Sequence, residues 1–259
     1  CWGTRPDDTA HFFAVTDDLE YFLHSVIATC DYVKGVKQSK KTINLSFDEW
    51  NVWYHSMQQD NEDMENLPWR SHPHLLEDIY NYEDAIVDAL ALIKFLQHAD
   101  RVKVACLAQL VNVIAPIMTE EGGPAWRQTI FYPFYLVSKY GRGTALQPVL
   151  SCGDHATSKH DHVTDVEAVS VWNEEKEQLA IFAVNRNTEE PVEFEADLRG
   201  FEGYHVAEFA ALEGDDMKAV NTKDCERVKP IRRTDAVLDG GVLKTVLKPA
   251  SFVTIVLEK

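Results

Sequence analysis

The spacing of apolar residues along the chain changes character once, near residue 145, and that change organises the reading. From Leu19 onward, Phe22, Leu23, Val26, Ile27, Cys30 and Val33 recur at i, i+3, i+4 and i+7, which predicts a one-faced helix. Asp17 and Glu20 fit a capping box at its start, and Gly35 fits its stop. Thr42 to Phe47 alternates as a strand does and runs into Asp48-Glu49-Trp50-Asn51. Residues 54–74, with Pro68, Pro73 and many polar groups, read as a long loop. A second helix is predicted over Leu75–Ala99, with Ile79, Ile86, Leu90, Ile93 and Leu96 inward, and a second strand over Val102–Ala108. Pro124 suits the first turn of a third helix starting at Ala125 and ending near Gly141-Arg142-Gly143. Two strand–loop–helix units of this kind build either an α/β barrel or an open parallel sheet.

Beyond residue 145 the period becomes two. Short alternating runs cover Val166–Trp172, Leu179–Asn185, Val192–Leu198, Tyr204–Leu212, Val242–Leu247 and Phe252–Leu257. Turn residues separate them, including Asn173-Glu174, Gly214-Asp215 and Gly240-Gly241. That is the pattern of an antiparallel β-sandwich. The expected division is therefore an α/β part over residues 1–145 and an all-β part over residues 146–259.

Composition narrows the function. With 42 Asp and Glu against 25 Lys and Arg, the net charge is −17. Phosphate backbones are bound by clustered positive charge, so nucleic acid is not an expected partner. No apolar run approaches the roughly 18 residues of a membrane span. Five cysteines (Cys1, Cys30, Cys106, Cys152, Cys225) form no even framework, and Cys30 and Cys106 fall in apolar periodic segments. A reduced cytoplasmic setting is the expectation, with those two cysteines acting as small buried hydrophobes.

Glu49 is the candidate catalytic residue. It stands at the C-terminal end of a predicted strand, where α/β barrels carry their chemistry. Strand geometry puts it on the face of Phe47 and Leu45, with Asp48 on the other. Trp50, Asn51, Trp53 and Tyr54 around it mix aromatic and amide groups suited to a sugar ring. A strand-end carboxylate also serves as a simple cap or ion-pair partner. His155, His160 and His162 with Asp154, Asp161 and Asp165 offer metal-ligand types, but the stretch reads as a solvated loop, and no metal and no cofactor are expected. Trp126 and Arg127 either reach substrate or anchor a helix start. Phe131, Tyr132, Phe134, Tyr135 and Tyr140 suit packing between the two parts or between subunits.

Four stretches then carry a resemblance. Ile43–His55 (INLSFDEWNVWYH), Leu75–Asn81 (LLEDIYN), Ala105–Asn112 (ACLAQLVN) and Gly123–Thr129 (GPAWRQT) resemble, in order, segments of the α-L-arabinofuranosidases of glycoside hydrolase family 51. The resemblance implies the C-terminal part of a (β/α)8 TIM barrel over residues 1–145, followed by a jelly-roll-like antiparallel β-sandwich. It implies that Glu49 is the nucleophile of a retaining, exo-acting hydrolase. Trp53 and Gln109 would line the arabinofuranose pocket, with Asn51 and Asn112 behind them. The implied substrate is an arabinofuranosyl oligosaccharide of the arabinan or arabinoxylan type, and the implied assembly a homo-oligomer.

The chain departs from the family in one respect. Retaining chemistry needs a second carboxyl about 5–5.5 Å from the nucleophile. In the family it comes after an asparagine at the end of the fourth barrel strand, and no such Asn-Glu pair precedes Glu49. Trp2-Gly3 resembles the residues just after the sixth strand's His-x-Tyr, with Cys1 in the tyrosine's place. The expectation is thus a chain that starts near the end of that strand and takes its acid/base from upstream. The alternative is an inactive fragment whose sandwich packs, oligomerises or binds carbohydrate. A related retaining barrel glycosidase with another sugar preference is a third reading.

Overall fold

The computed structural model describes residues 7–66, 69, 71 and 73–259. The expectations attached to Cys1, Trp2, Gly3 and Pro68 lie outside them. In chain order the first part holds α1 (Thr9–Val36), β1 (Leu45–Trp50), α2 (Met57–Asn66), α3 (Tyr82–Gln97), β2 (Val102–Leu107), a hairpin of β3 (Ile117–Thr119) and β4 (Ala125–Arg127), and α4 (Phe131–Tyr140). The rest is strand: β5 (Thr144–Leu146), β6 (Asp154–His155), β7 (Val163–Thr164), β8 (Val166–Asn173), β9 (Gln178–Asn185) and β10 (Val192–Asp197). After these come β11 (His205–Leu212), β12 (Ile231–Arg232), β13 (Val237–Asp239), β14 (Val242–Leu247) and β15 (Ser251–Glu258).

The second part is a β-sandwich. Six antiparallel strands run in the order β12-β11-β15-β9-β8-β5, facing a three-stranded sheet ordered β10-β14-β13. Between the sheets lie Ala168, Ile181, Phe209 and Ile255 against Phe194, Leu243 and Leu247. The alternate residues of the large sheet, among them Val169, Phe182, Ala210 and Phe252, pack instead on α3 and α4. Both faces of the large sheet are therefore covered, which is why every residue of β9 is buried and its sequence lacks a polar face. Gly143 opens β5 at φ 145°, and a side chain there would strike the Trp172 carbonyl.

α3 is the hub between the two parts. Its N-terminus is a reciprocal box: the Asn81 side chain accepts from the Asp84 N–H, and Asp84 accepts from the Asn81 N–H. One side of α3 meets the sandwich. Another joins Leu23, Phe95 and Val102 in a smaller cluster beneath β1 and β2. These two strands pair in parallel, Leu45 with Val102 and Trp50 with Leu107. A buried ion network locks the parts together. Arg186, 1% exposed, donates to Asp17 of α1 at 2.8 Å and to the Thr164 carbonyl at 2.8 Å. Lys94 of α3 lies 3.1 Å from Glu167 and 3.4 Å from Glu20.

Several expectations are corrected. α1 starts at Thr9, capped by Asp8, whose carboxylate accepts from the His11 N–H; Asp17 lies inside the helix and serves Arg186. Residues 57–66, read as loop, form α2. It has no apolar stripe to betray it and rests on polar i, i+4 pairs, Gln58–Glu62 and Gln59–Asp63. α3 starts at Tyr82, so Ile79 precedes it and is exposed. Ala125–Arg127 is a hairpin strand, because Met118 pairs with Trp126 across it, and α4 starts six residues later than expected, at Phe131. Cys106 is exposed, since no layer covers the face of β2 that carries Val104 and Cys106 among the described residues. The four described cysteines are free.

Candidate active site

Because β1 and β2 are parallel, their C-terminal ends come out together, and the Ala108 N–H donates to the Trp50 carbonyl at 3.1 Å. Binding sites of parallel sheets form beyond such ends. Glu49 lies one residue before the end of β1, exposed, where the pairing register shifts between Phe47 and Trp50. Phe47, Glu49 and Trp50 line one recess of about 440 Å³ with α1 and α3. Ser46 donates to Asp48 on the other side of the strand.

The loop after Glu49 is held by its own Asn51 and by Asp78 and Tyr80, which Gln128 anchors in turn. Asn51 spans the strand ends: its Nδ2 donates to the Ala108 carbonyl at 2.7 Å and the Ile114 carbonyl at 2.6 Å. Asp78 accepts three successive N–H groups, from Tyr54 (3.1 Å), His55 (3.0 Å) and Ser56 (2.9 Å). Tyr80 donates its hydroxyl to the Val52 carbonyl at 2.8 Å. Gln128, fully buried, accepts from the Tyr80 N–H and donates to the carbonyls of Asp78 and Ala115.

His55 Nε2 lies 2.7 Å from Asp84, and its ring stacks on Tyr54 at 4.0 Å. Burial disfavours the imidazolium. The hydrogen bond and charge of Asp84 outweigh burial and raise the His55 pKa above the ordinary imidazole value. Asp88, one turn further along α3, is 2% exposed and its Oδ2 has no hydrogen-bond partner among the described residues. Burial, with the neighbouring Asp84 charge, pushes its carboxyl well above the usual range.

Glu49, Asn51 and Gln109 share the strand-end region. The Gln109 side chain is exposed, its N–H donates to Ile114, and the Ala108–Gln109 peptide is cis. Trp53 is half-buried, with an indole N–H unpartnered among the described residues. Asn112 adopts φ 62° and is tied to Thr119, accepting its N–H at 2.8 Å, which fixes the mouth of the β3–β4 hairpin. Arg127 lies over the Phe131 ring at 5.2 Å. Tyr132 and Tyr140 of α4 donate to Glu226 and Glu208 of the sandwich part. The histidines of residues 155–162 do not converge: His155 pairs with Asp165 and His162 with Asp154.

Sequence reasoning missed Asp78, Tyr80, His55 with Asp84, and Gln128. All but Asp84 sit in the four stretches that resemble family 51. These stretches meet in space, stitched by side-chain bonds to one another's backbone.

Solved structures share this architecture over nearly the whole chain. A family 51 α-L-arabinofuranosidase from Bifidobacterium longum superposes with a TM-score of 0.87 at 37% identity, over 96% of this chain and 49% of that one. An α-L-arabinofuranosidase from Thermotoga maritima, with arabinose bound, gives 0.80 at 22% identity, over 99% and 51%. The chain belongs to the family described as the α-L-arabinofuranosidase C-terminal domain, whose model matches residues 48–251. Among its relatives, the intracellular exo-α-(1→5)-L-arabinofuranosidase of Acetivibrio thermocellus is 55% identical over 97% of this chain and 50% of its own length. The protein of that description numbered 1 in Bacillus subtilis is 50% identical over 100% and 51%. The chain thus spans about half the length of these curated relatives. Among the described residues, no helix is long and apolar enough to cross a membrane.

Proposed function

We propose that this chain is the C-terminal part of a retaining, exo-acting α-L-arabinofuranosidase that removes terminal α-L-arabinofuranosyl residues from arabinan- or arabinoxylan-type oligosaccharides. The observation that carries the reading is the exposed Glu49 carboxylate at the C-terminal end of a parallel strand, within a family match that begins at Asp48. Residues 1–145 then supply the last units of a (β/α)8 barrel and residues 146–259 the sandwich. The parallel β1–β2 pair with helices packed beneath it supports that assignment.

In this mechanism the Glu49 carboxylate attacks the anomeric carbon while an acid outside this chain protonates the departing oxygen. The resulting glycosyl ester is opened by water, which yields its proton to the same group, now a carboxylate. Trp53 and Gln109 contact the sugar. Asn51 and Asn112 hold the loops that present them. The double displacement uses no cofactor. The names of the relatives support a cytoplasmic enzyme, and the exposed Phe134 and Tyr135 of α4 offer a face for a homo-oligomer.

The test is hydrolysis of 4-nitrophenyl α-L-arabinofuranoside by the full-length protein. Glu49→Ala is expected to lower kcat by at least about a thousandfold, with sodium azide restoring turnover and giving the inverted glycosyl azide. Turnover undiminished in Glu49→Ala refutes the assignment.

A further inference from the structure

Away from the strand ends, α1 and the end of α3 bring three ligand-type side chains to one point. Glu20 and His24 stand one turn apart on α1 and so share a face, while His98 is the C-cap of α3. His24 Nε2 lies 2.9 Å and His98 Nε2 2.7 Å from the same atom, Glu20 Oε1. The two rings meet edge-on at 5.0 Å. Among the described residues, this is the group in which three ligand atoms of His, Cys, Asp or Glu come within 4.8 Å of one another.

Two imidazoles aimed at one carboxylate oxygen must each carry a proton on Nε2. The same three atoms lie close enough together for a divalent ion to take the place of those two protons. Charge favours the ion as well. Among the described residues, Asp17, Glu20 and Glu167 face two side-chain cations, Lys94 and Arg186. With neutral imidazoles one negative charge is left over. Lys94 approaches the other oxygen of Glu20, Oε2, at 3.4 Å and leaves Oε1 to the histidines. The three side chains border a surface recess of about 440 Å³ with Gln97 and Gln147, so a fourth ligand position opens to water.

We infer that Glu20, His24 and His98 form a zinc-class transition-metal site that joins α1 to the end of α3. Two imidazoles and one carboxylate suit a borderline metal and disfavour calcium or magnesium, which prefer all-oxygen shells. Through Lys94 and Glu167 the same junction reaches β8, so the ion would brace the contact between the helical part and the sandwich. The inference does not depend on the proposed hydrolase activity.

The test is calorimetric titration of zinc chloride into the metal-stripped protein, with the melting temperature followed in parallel. One saturable site per chain is expected, with a melting temperature that rises with zinc concentration. Glu20→Gln, His24→Ala and His98→Ala are each expected to weaken binding by about tenfold or more. His24 is largely exposed, so His24→Ala, checked by circular dichroism, separates ligand loss from misfolding. His162→Ala, which touches a separate pair, should keep the parent affinity. Absence of saturable zinc binding in the folded parent overturns the site. So does binding that persists when His24 and His98 are both replaced, and tighter binding of magnesium than of zinc overturns the class of metal.

Discussion

Asp78 offers a direct test of how the loop after Glu49 is held. Its buried carboxylate accepts three consecutive N–H groups: Tyr54 and His55 on Oδ2, and Ser56 on Oδ1. Asp78→Ala removes both acceptor oxygens and strands three N–H donors. At about 1 kcal/mol for each stranded donor, the low end of the usual range because these bonds are only partly buried, the loss is about 3 kcal/mol. Asp78→Asn keeps one carbonyl oxygen. Turned toward Tyr54 and His55 it retains two bonds and sets its NH₂ against the Ser56 N–H, a loss of about 1 kcal/mol. For a chain of this size 1 kcal/mol moves the melting temperature by roughly 2–4 °C. Differential scanning calorimetry should therefore show a fall of about 6–12 °C for the alanine variant and about 2–4 °C for the asparagine variant. In the full-length protein both should also raise KM for an aryl arabinofuranoside more than they lower kcat, because Trp53 is in the same loop. Equal melting temperatures for the two variants, or an alanine variant within about 1 °C of the parent, would refute the three-bond account.

Arg186→Met should destabilise by about 3–5 kcal/mol in guanidinium titration, since it removes one of the two buried cations of Asp17 and Glu167 and leaves Lys94 to face both acids. Adding Asp17→Asn to it should recover part of that loss, and strict additivity would argue against the network. Asp88→Asn should behave oppositely. The folded-state pKa of Asp88 is raised, so the folded chain binds the proton more tightly and stability falls as pH rises from the unfolded value near 3.8 toward the raised folded one. The variant should match the parent near pH 4 and melt higher at pH 7; a deficit at every pH would sink the idea. Phe182→Ala, at the centre of the large sheet, should cost about 3–5 kcal/mol by chemical denaturation, and a cost below about 1 kcal/mol would show that the sheet face is not packed.

Much of the architecture was legible because its cause is local. Short β-rich runs bounded by turn residues located β8, β9, β10, β11, β14 and β15 to within a residue or two at each end. Four runs that resemble family 51 led to the family whose model covers residues 48–251. The failures share a cause too. α2 lies on the surface and carries no apolar stripe, so hydrophobic period had nothing to detect. β4 is a strand only because Met118 lies opposite Trp126. The start of α3 was set by the Asn81–Asp84 box, whereas the apolar residues before it gave a false extension. Asp17 offered a plausible cap, but Arg186, 169 positions away, claims it.

The sequence alone determined the long sandwich strands, the change of texture near residue 145 and the acidic surface, since side-chain period, turn chemistry and charge act within a few residues. It also singled out Glu49 as the acid at a strand end. The tertiary structure decided which side chains hold that end in place. Asp78, Tyr80 and Gln128 act through bonds to backbone groups that lie far away along the chain, and such partners have no periodicity to read. The meeting of Glu20 and His24 with His98 is of the same kind. One turn of α1 sets the first pair, but only the packing of α1 on α3 brings the third residue, 74 positions beyond His24, within reach.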